Sequence, residues 1–435
     1  MRTTQPTDVA VIGGGLAGLA AAIFLARAGR QVILFEKAPE VGGRAMTQAK
    51  NGFLFNMGPH ALYRAGRGAQ ILRELDVQFT GNMPGASGGY AVNHGMTHTL
   101  PAGFVSLLTT GLLSLPGKIE IARLLGSINK IDTRALQHTT VREWLDRTIR
   151  QPDARQLVQA LFRVATYTDD PERQSVGAAL AQVQMALTSN VLYLDGGWQV
   201  LVDGLRKAAQ AAGVHIVTGE KVEAIEHDTA VHGVRLADGS TWTTSVVIIT
   251  GSPADAAVLV QSSAKTTLRE WTGATIPVKA ACLDVGLARL PRPRALFALG
   301  IDRPLYFSVH SAVAKLGPED GAVIHTAKYL NPTTRTDPKA DERELEGLLD
   351  LVQPSWREVV VERRFLPSML VSHAGVTAAA GGYAGRPGPV VPGVRNLYVA
   401  GDWVGPEGLL ADASLASAKR AAELIVRSEE VLAAA

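Results

Sequence analysis

The chain has 435 residues, 46% of them apolar and 19% charged, with a formal net charge of +3. That is globular material for two or three domains, and it excludes a disordered or low-complexity chain. The 43 basic and 40 acidic residues are dispersed, which excludes a nucleic-acid footprint; a lone cysteine, Cys282, excludes an internal disulfide or a Cys-rich metal site and fits a reducing cytosol.

The first seven residues are short and polar, unlike a secretory signal. Residues 8–13 form a short apolar strand, 16–29 an Ala/Leu-rich helix closed by a glycine, and 31–36 a second apolar strand. Two strands joined by a helix within about 30 residues predict a parallel βαβ unit. The stretch from Leu100 to Gly117 carries no formal charge, but its two prolines and three glycines make it a poor spanning helix. Helices are predicted over 140–148, 153–164 and 197–212. Strands are predicted over 214–218, 221–227, 233–236, 245–250, 279–287, 322–329 and 396–400, with Asp238-Gly239 as a turn. The last helix is expected over 412–427, with Asp412 as its N-cap. Dinucleotide-type elements recur at the start, near 196–251 and at the end, which predicts a discontinuous cofactor domain with other segments inserted.

Gly13, Gly15 and Gly18 give a G-x-G-x-x-G turn between the first strand and helix. Gly13 permits the tight turn, Gly15 lets a pyrophosphate approach the backbone, and Gly18 lets the helix pack on the strand. Glu36 ends the second strand 23 residues after Gly13. A carboxylate there accepts from ribose hydroxyls and repels a 2′-phosphate, so NADP is disfavoured. Gly42-Gly43-Arg44 follows, with a backbone bend and a fixed cation suited to phosphate.

In this position the glycine doublet resembles that of the flavoprotein family containing monoamine oxidases, protoporphyrinogen oxidases and phytoene desaturases. Phe55-Asn56-Met57-Gly58-Pro59-His60 resembles that family's turn approaching the flavin. Residues 396–403 (NLYVAGDW) are similar to its second flavin signature, ending in Gly401-Asp402. Gly196-Gly197 and the strand carrying Val222 also match it. The resemblance implies an α/β fold, a Rossmann-like FAD-binding domain (1–75, 195–255, 385–435) interleaved with an α+β substrate domain (76–194, 256–384). It is the two-domain architecture of p-hydroxybenzoate hydroxylase and the amine oxidases. FAD would be held by Gly13, Gly15, Gly18, Glu36, Lys37, Gly43, Arg44, Gly58, Pro59, the Val222 backbone, Gly401, Asp402, Leu410 and Ala411. The start of the last helix would face the flavin N1–C2=O edge, where its positive dipole end suits the charge of the reduced ring. The C-terminal third has no cysteine, so FAD is expected to be noncovalent, and no metal is expected.

In such chemistry a substrate C–H bond gives hydride to flavin N5. His60 and Lys279 are the candidate catalytic residues. A lysine near this strand holds a water against the flavin in amine oxidases, against which stands a lysine snorkelling from a strand end. For His60 the alternative is a turn histidine bonded to backbone. The apolar segment from Leu100 to Gly117, followed by Lys118, Arg123 and Lys130, resembles the tunnel mouth of the family's desaturases and is a candidate peripheral membrane contact. The expectation is a cytoplasmic, desaturase-like oxidoreductase acting on a small hydrophobic substrate of isoprenoid type. The alternatives are a flavin amine oxidase, a protoporphyrinogen-type oxidase and, more remotely, a prenyl-binding protein of the same fold.

Overall fold

The computed structural model describes residues 7–85, 88–261 and 263–434. The chain opens with β1 (Thr7–Ile12), α1 (Leu16–Arg27) and β2 (Val32–Glu36). Then come β3 (Phe53–Asn56), α2 (Arg67–Glu74), β4 (Gly89–Asn93) and β5 (Met96–Thr99). A helical stretch follows: α3 (Phe104–Thr109), α4 (Leu115–Ser127), α5 (Val141–Thr148), α6 (Pro152–Thr166), α7 (Val176–Ser189) and α8 (Gln199–Ala211). The strands β6 (His215–Thr218), β7 (Val222–His227), β8 (Val231–Leu236), β9 (Thr241–Ile249), β10 (Val278–Leu287), β11 (Phe297–Gly300), β12 (Leu305–Val309) and β13 (Ala322–Leu330) lead to α9 (Pro338–Val352). β14 (Val360–Ser372), β15 (Leu397–Val399) and α10 (Leu410–Ala434) close the chain.

Two seven-stranded sheets organise these elements. The first has the order β6-β2-β1-β9-β8-β7, with β15 also paired to β9. Its centre is parallel: β1 pairs with β2 and β9, and β15 with β9. Central strands of parallel sheets are covered on both faces, which explains the unbroken runs Val9–Val11 and Val246–Ile249, all buried. One face is covered by α1, α8 and α10, whose small buried residues let the helices lie close. The second sheet has the order β14-β10-β13-β12-β11-β4-β5. The helices from α4 to α7 bury Trp144, Leu157, Phe162 and Leu180 against one of its faces. On the other, Leu345, Leu348 and Leu349 of α9 pack on Leu283 and Val285 of β10. Strands of the first sheet come from residues 7–36, 215–249 and 397–399; those of the second come from 89–99 and 278–372.

The sequence-based assignment needs correction at two element starts, and it offers no strand over Val360–Ser372. β9 begins at Thr241, four residues before the expected start, because its first three residues pair with β8 before the strand turns into the parallel sheet. α10 begins at Leu410, so Asp412 lies in the first turn rather than at the cap; its carboxylate is spent instead on the distant Gly68 N–H, at 2.7 Å. The uncharged stretch after Leu100 folds into α3 and the start of α4. Leu100, Leu107, Leu112 and Leu113 face inward, whereas Phe104 and Leu115 are 76% and 72% exposed. No helix among the described residues is long and apolar enough to cross a membrane.

The junction of β1 and α1 leaves no room for side chains at Gly13 and Gly18. Gly13 stands at φ +111°, and a Cβ on it would meet Thr250 Oγ1 at 2.6 Å; a Cβ on Gly18 would collide with the Gly13 carbonyl oxygen. Replacing Gly18→Val is expected to destabilise the protein by about 2–4 kcal/mol through overpacking of backbone that has no room to relax. Urea denaturation with an unchanged midpoint would refute that account.

Candidate functional site

Beside this junction lies a chamber of about 510 Å³. At one end are Gly15, Leu16 and Ala17 from the first turn of α1, with Gly42, Arg44, Gly401 and Asp402 facing them. The start of an α-helix leaves N–H groups without partners inside the helix, so this end offers donors to an anion. Gly15 has nothing within 4 Å of where a Cβ would sit, and Gly43 has only the Gly15 Cα, at 3.7 Å. The two glycines therefore leave an open slot between the α1 turn and the loop before Arg44. The loop is pinned to the turn by the Gly42 N–H donating to the Gly14 carbonyl, at 2.8 Å.

Glu36 closes the other side of the turn. Its two carboxylate oxygens accept from the Gly14 and Ala38 N–H groups, at 2.7 and 2.8 Å. It thus shapes the glycine loop, and its remaining lone pairs stay available to hydroxyls. Gly219 and Glu220 donate to the Ala38 and Glu36 carbonyls, which brings the Val222 end of β7 alongside. Lys37 is exposed. Gly13, Gly18, Glu36, Lys37, Gly43, Gly58 and Val222 do not line the chamber, whereas Gly15, Arg44, Pro59, His60, Gly401, Asp402, Leu410 and Ala411 do.

Arg44 and Asp402 are joined at 2.6 Å across 358 residues of sequence. Asp402 also accepts from His373 Nδ1 at 2.9 Å. Burial would raise the Asp402 carboxyl, but the Arg44 charge and the His373 bond outweigh it and hold it well below the usual carboxylate range. The chamber floor is therefore a fixed ion pair. Further along, the walls are apolar: Met57, Leu62, Tyr167, Leu366, Met369 and Leu370.

His60 interrupts that wall. Its Nδ1 donates to the Gly58 carbonyl, at 3.0 Å, and its ring meets Trp198 edge-on at 4.8 Å. Burial lowers its pKa to about 4, so at neutral pH it is uncharged and its Nε2 is an acceptor. The turn that carries it is held from behind. Arg364 donates to the Asn56 carbonyl and to Asp284, the latter at 2.6 Å, and Asp284 is in turn bonded to the buried His325 at 2.6 Å. A Cβ on Gly58 would strike Met369 and come within 3.1 Å of Cys282 Sγ, so the turn presses against the second sheet. Cys282 is fully buried there, and burial pushes its thiol well above the ordinary range.

Lys279 is not brought to the chamber. It sits on β10 between the buried Val278 and Ala280, and its side chain is exposed. Side chains alternate along a strand, so the register that buries its neighbours turns the lysine outward. The segment from Leu100 to Gly117 does not line the chamber either. Conversely, the structure adds Tyr63, Tyr167, Trp198, His373, Asp412 and the stretch 366–371 of β14. Of these, Trp198, next to the Gly196-Gly197 pair, and Asp412, expected as a helix cap, carried a signal in the sequence. Leu410 adopts φ +55°, a conformation costly for a branched side chain, where the backbone turns into α10 at the chamber wall.

A parallel dinucleotide-type sheet, a glycine turn with its acidic neighbour and an adjoining apolar chamber define the class: a flavin-binding oxidoreductase fold. Residues 16–278, more than half of the chain, match the family described as flavin containing amine oxidoreductase, and the chain belongs to that family. The family implies a flavin cofactor. Among curated relatives, the carotenoid 3,4-desaturase of Haloarcula japonica is 54% identical over 52 residues, 12% of this chain and 10% of that protein. The L-amino-acid oxidase of Pseudechis australis is 47% identical over 80 residues, 18% of this chain and 15% of that protein. The matched segments thus span only a small part of either relative. The solved structure of wild-type putrescine oxidase bound to putrescine shares the fold, with a TM-score of 0.73 and 16% identity over 97% of this chain and 99% of that one.

The half-buried, neutral His60 has a consequence for stability. Between pH 6.5 and about 4 the unfolded chain takes up a proton at this residue and the folded chain does not, so stability falls with pH across that window. His60→Gln is expected to remove roughly 2 kcal/mol of that acid loss. Urea melts of both proteins at either end of the window check it; parallel losses would refute it.

Proposed function

We propose that the protein is an FAD-dependent oxidoreductase that removes hydride from a hydrophobic substrate in the manner of a desaturase, with the flavin bound noncovalently. The observation that carries this reading is the chamber itself. A fixed ion pair and open helix N–H groups stand at one end, and apolar walls interrupted by a neutral histidine stand further along. The open slot at Gly15 and Gly43 fits a diphosphate, because no side-chain atom fills the space a Cβ would take. The α1 turn and Arg44 would hold that diphosphate, and Glu36 with the Val222 backbone would meet the adenosine end. Asp402 and the start of α10 would meet the rest. FAD supplies the hydride acceptor when bound.

The chain's own residues bind, orient and exclude water. Met57, Leu62, Leu366 and Met369 offer apolar contact to the substrate and a dry setting. His60 Nε2 can accept a hydrogen bond from the substrate while the ring stays uncharged. A second reading, an amine-directed oxidase, draws on the shared segment with the L-amino-acid oxidase. The exposed Lys279 is expected to play no part in either.

Anaerobic mixing separates the two. Isoprenoids are expected to bleach the yellow flavin absorbance of the holoprotein, and amines or amino acids to leave it unchanged. Bleaching by amines alone would overturn the hydrophobic-substrate reading.

The exposed ridge of Phe104, Val105, Leu108 and Leu115, with Lys118 and Arg123 beside it, is proposed as a peripheral membrane contact. The wild type is expected to float with anionic liposomes and the double variant Phe104→Ser, Leu115→Ser to stay in the soluble fraction. Full recovery of the wild type in the soluble fraction would rule the contact out.

A further inference from the structure

The polar side chains of the chamber divide into those engaged within the protein and those left free. The charged groups are engaged: Arg44 and Asp402 hold each other, and Asp412 accepts from the Gly68 N–H while its second oxygen is buried. Tyr63 and Tyr167 donate to the Ala165 and Pro59 carbonyls, both at 2.9 Å. Thr250 donates to the Ile12 and Gly13 carbonyls and Ser414 to the Leu410 carbonyl, and the Trp198 indole N–H is buried in the wall. Among the described residues that line the chamber, two side-chain groups remain: His60 Nε2 and the hydroxyl of Ser368. Ser368 is exposed, and its hydroxyl has no hydrogen-bond partner among the described residues.

The pairing of β14 explains how Ser368 comes to be there. Met369 stands opposite Ala280 of β10 and Leu366 opposite Cys282, so two residues, Pro367 and Ser368, oppose the single Ala281. That is a β-bulge, and Pro367, which has no N–H to offer the ladder, suits the interruption. In an unbroken strand every second side chain would turn away from the chamber. The bulge breaks that alternation, and Leu366, Pro367, Ser368 and Met369 all border it. One hydroxyl is thereby set among apolar neighbours.

We propose that Ser368 is the specificity-determining contact of the chamber, meeting a lone hydroxyl or carbonyl oxygen on an otherwise apolar, uncharged substrate. The inference rests on FAD filling the glycine-turn end and the substrate the apolar end. Because Arg44 and Asp402 satisfy each other, a carboxylate or an ammonium brought between the apolar walls loses water and finds no free opposite charge. An uncharged oxygen loses less and gains a hydrogen bond from a hydroxyl with no competing partner in the protein. His60 Nε2, an acceptor in the neutral ring, takes the hydrogen of an alcohol but offers none to a carbonyl. Ser368 both donates and accepts, so it serves either oxygen.

The test is a titration of the FAD-loaded protein at neutral pH with hexan-1-ol, hexane, hexanoate and hexylammonium, read from the change in flavin absorbance on binding. Hexan-1-ol is expected to bind at least about tenfold more tightly than either ion, a comparison that needs only the wild type. Ser368→Ala is expected to weaken hexan-1-ol about three- to tenfold and to leave hexane unchanged, the difference being the hydrogen bond. Hexanoate or hexylammonium binding as tightly as the alcohol would overturn the selection against charge. An equal loss of alcohol and hexane in the variant, or no loss of either, would overturn the role of Ser368. A protein that binds FAD but responds to none of the four compounds would overturn the substrate placement, and one that binds no FAD the cofactor placement beneath it.

Discussion

At Gly18 the first helix lies against the carbonyl of Gly13 with no room for a methyl group, and the rest of the molecule is arranged around that contact. It brings the α1 start down onto the end of β1 and aims its free N–H groups across the sheet edge. Glu36 completes the arrangement from the neighbouring strand by holding the Gly14 and Ala38 N–H groups. The carboxylate thus has a structural task even without a nucleotide: it fixes the loop whose open side the cofactor would meet. α1 then serves as the floor on which α8 and α10 pack, so segments distant in sequence meet at one sheet edge.

The chamber is built by opposing treatments of charge. At the glycine-turn end, Arg44, Asp402 and His373 satisfy one another, and the burial of Asp402 strengthens the pairing. At the other end the turn carrying His60 is braced by Arg364, Asp284 and His325, none of which lines the chamber. The result is a cavity with its charge confined to one end and its wall geometry set by bonds behind the lining.

The parts legible in the sequence were those whose cause is local. The glycine turn, the βαβ unit and the Gly-Asp strand end each need particular residues within a few positions of one another, and Gly15, Arg44 and Asp402 do line the chamber. Tyr167 and the 366–371 stretch were not legible, because they arrive through the second sheet from segments more than 300 residues from Arg44 in the latter case and from a helix end in the former. Lys279 shows the complementary limit: the strand was readable from its apolar pattern, but which side of it faced the chamber depended on pairing with β13 and β14. Asp412 reads as a helix cap by its type, and it does satisfy a helix N–H, but of α2 rather than of its own helix.

Cys282, pressed behind the Gly58 turn, gives the protein an unusual chemical simplicity. With its single thiol fully buried and held protonated, the folded chain presents no reactive sulfhydryl. A cysteine placed anywhere on the surface becomes the sole point of attachment for a spectroscopic label, with no background to remove. The same seclusion makes reaction at Cys282 a reporter of opening, since a thiol reagent reaches it only when the turn parts from the second sheet.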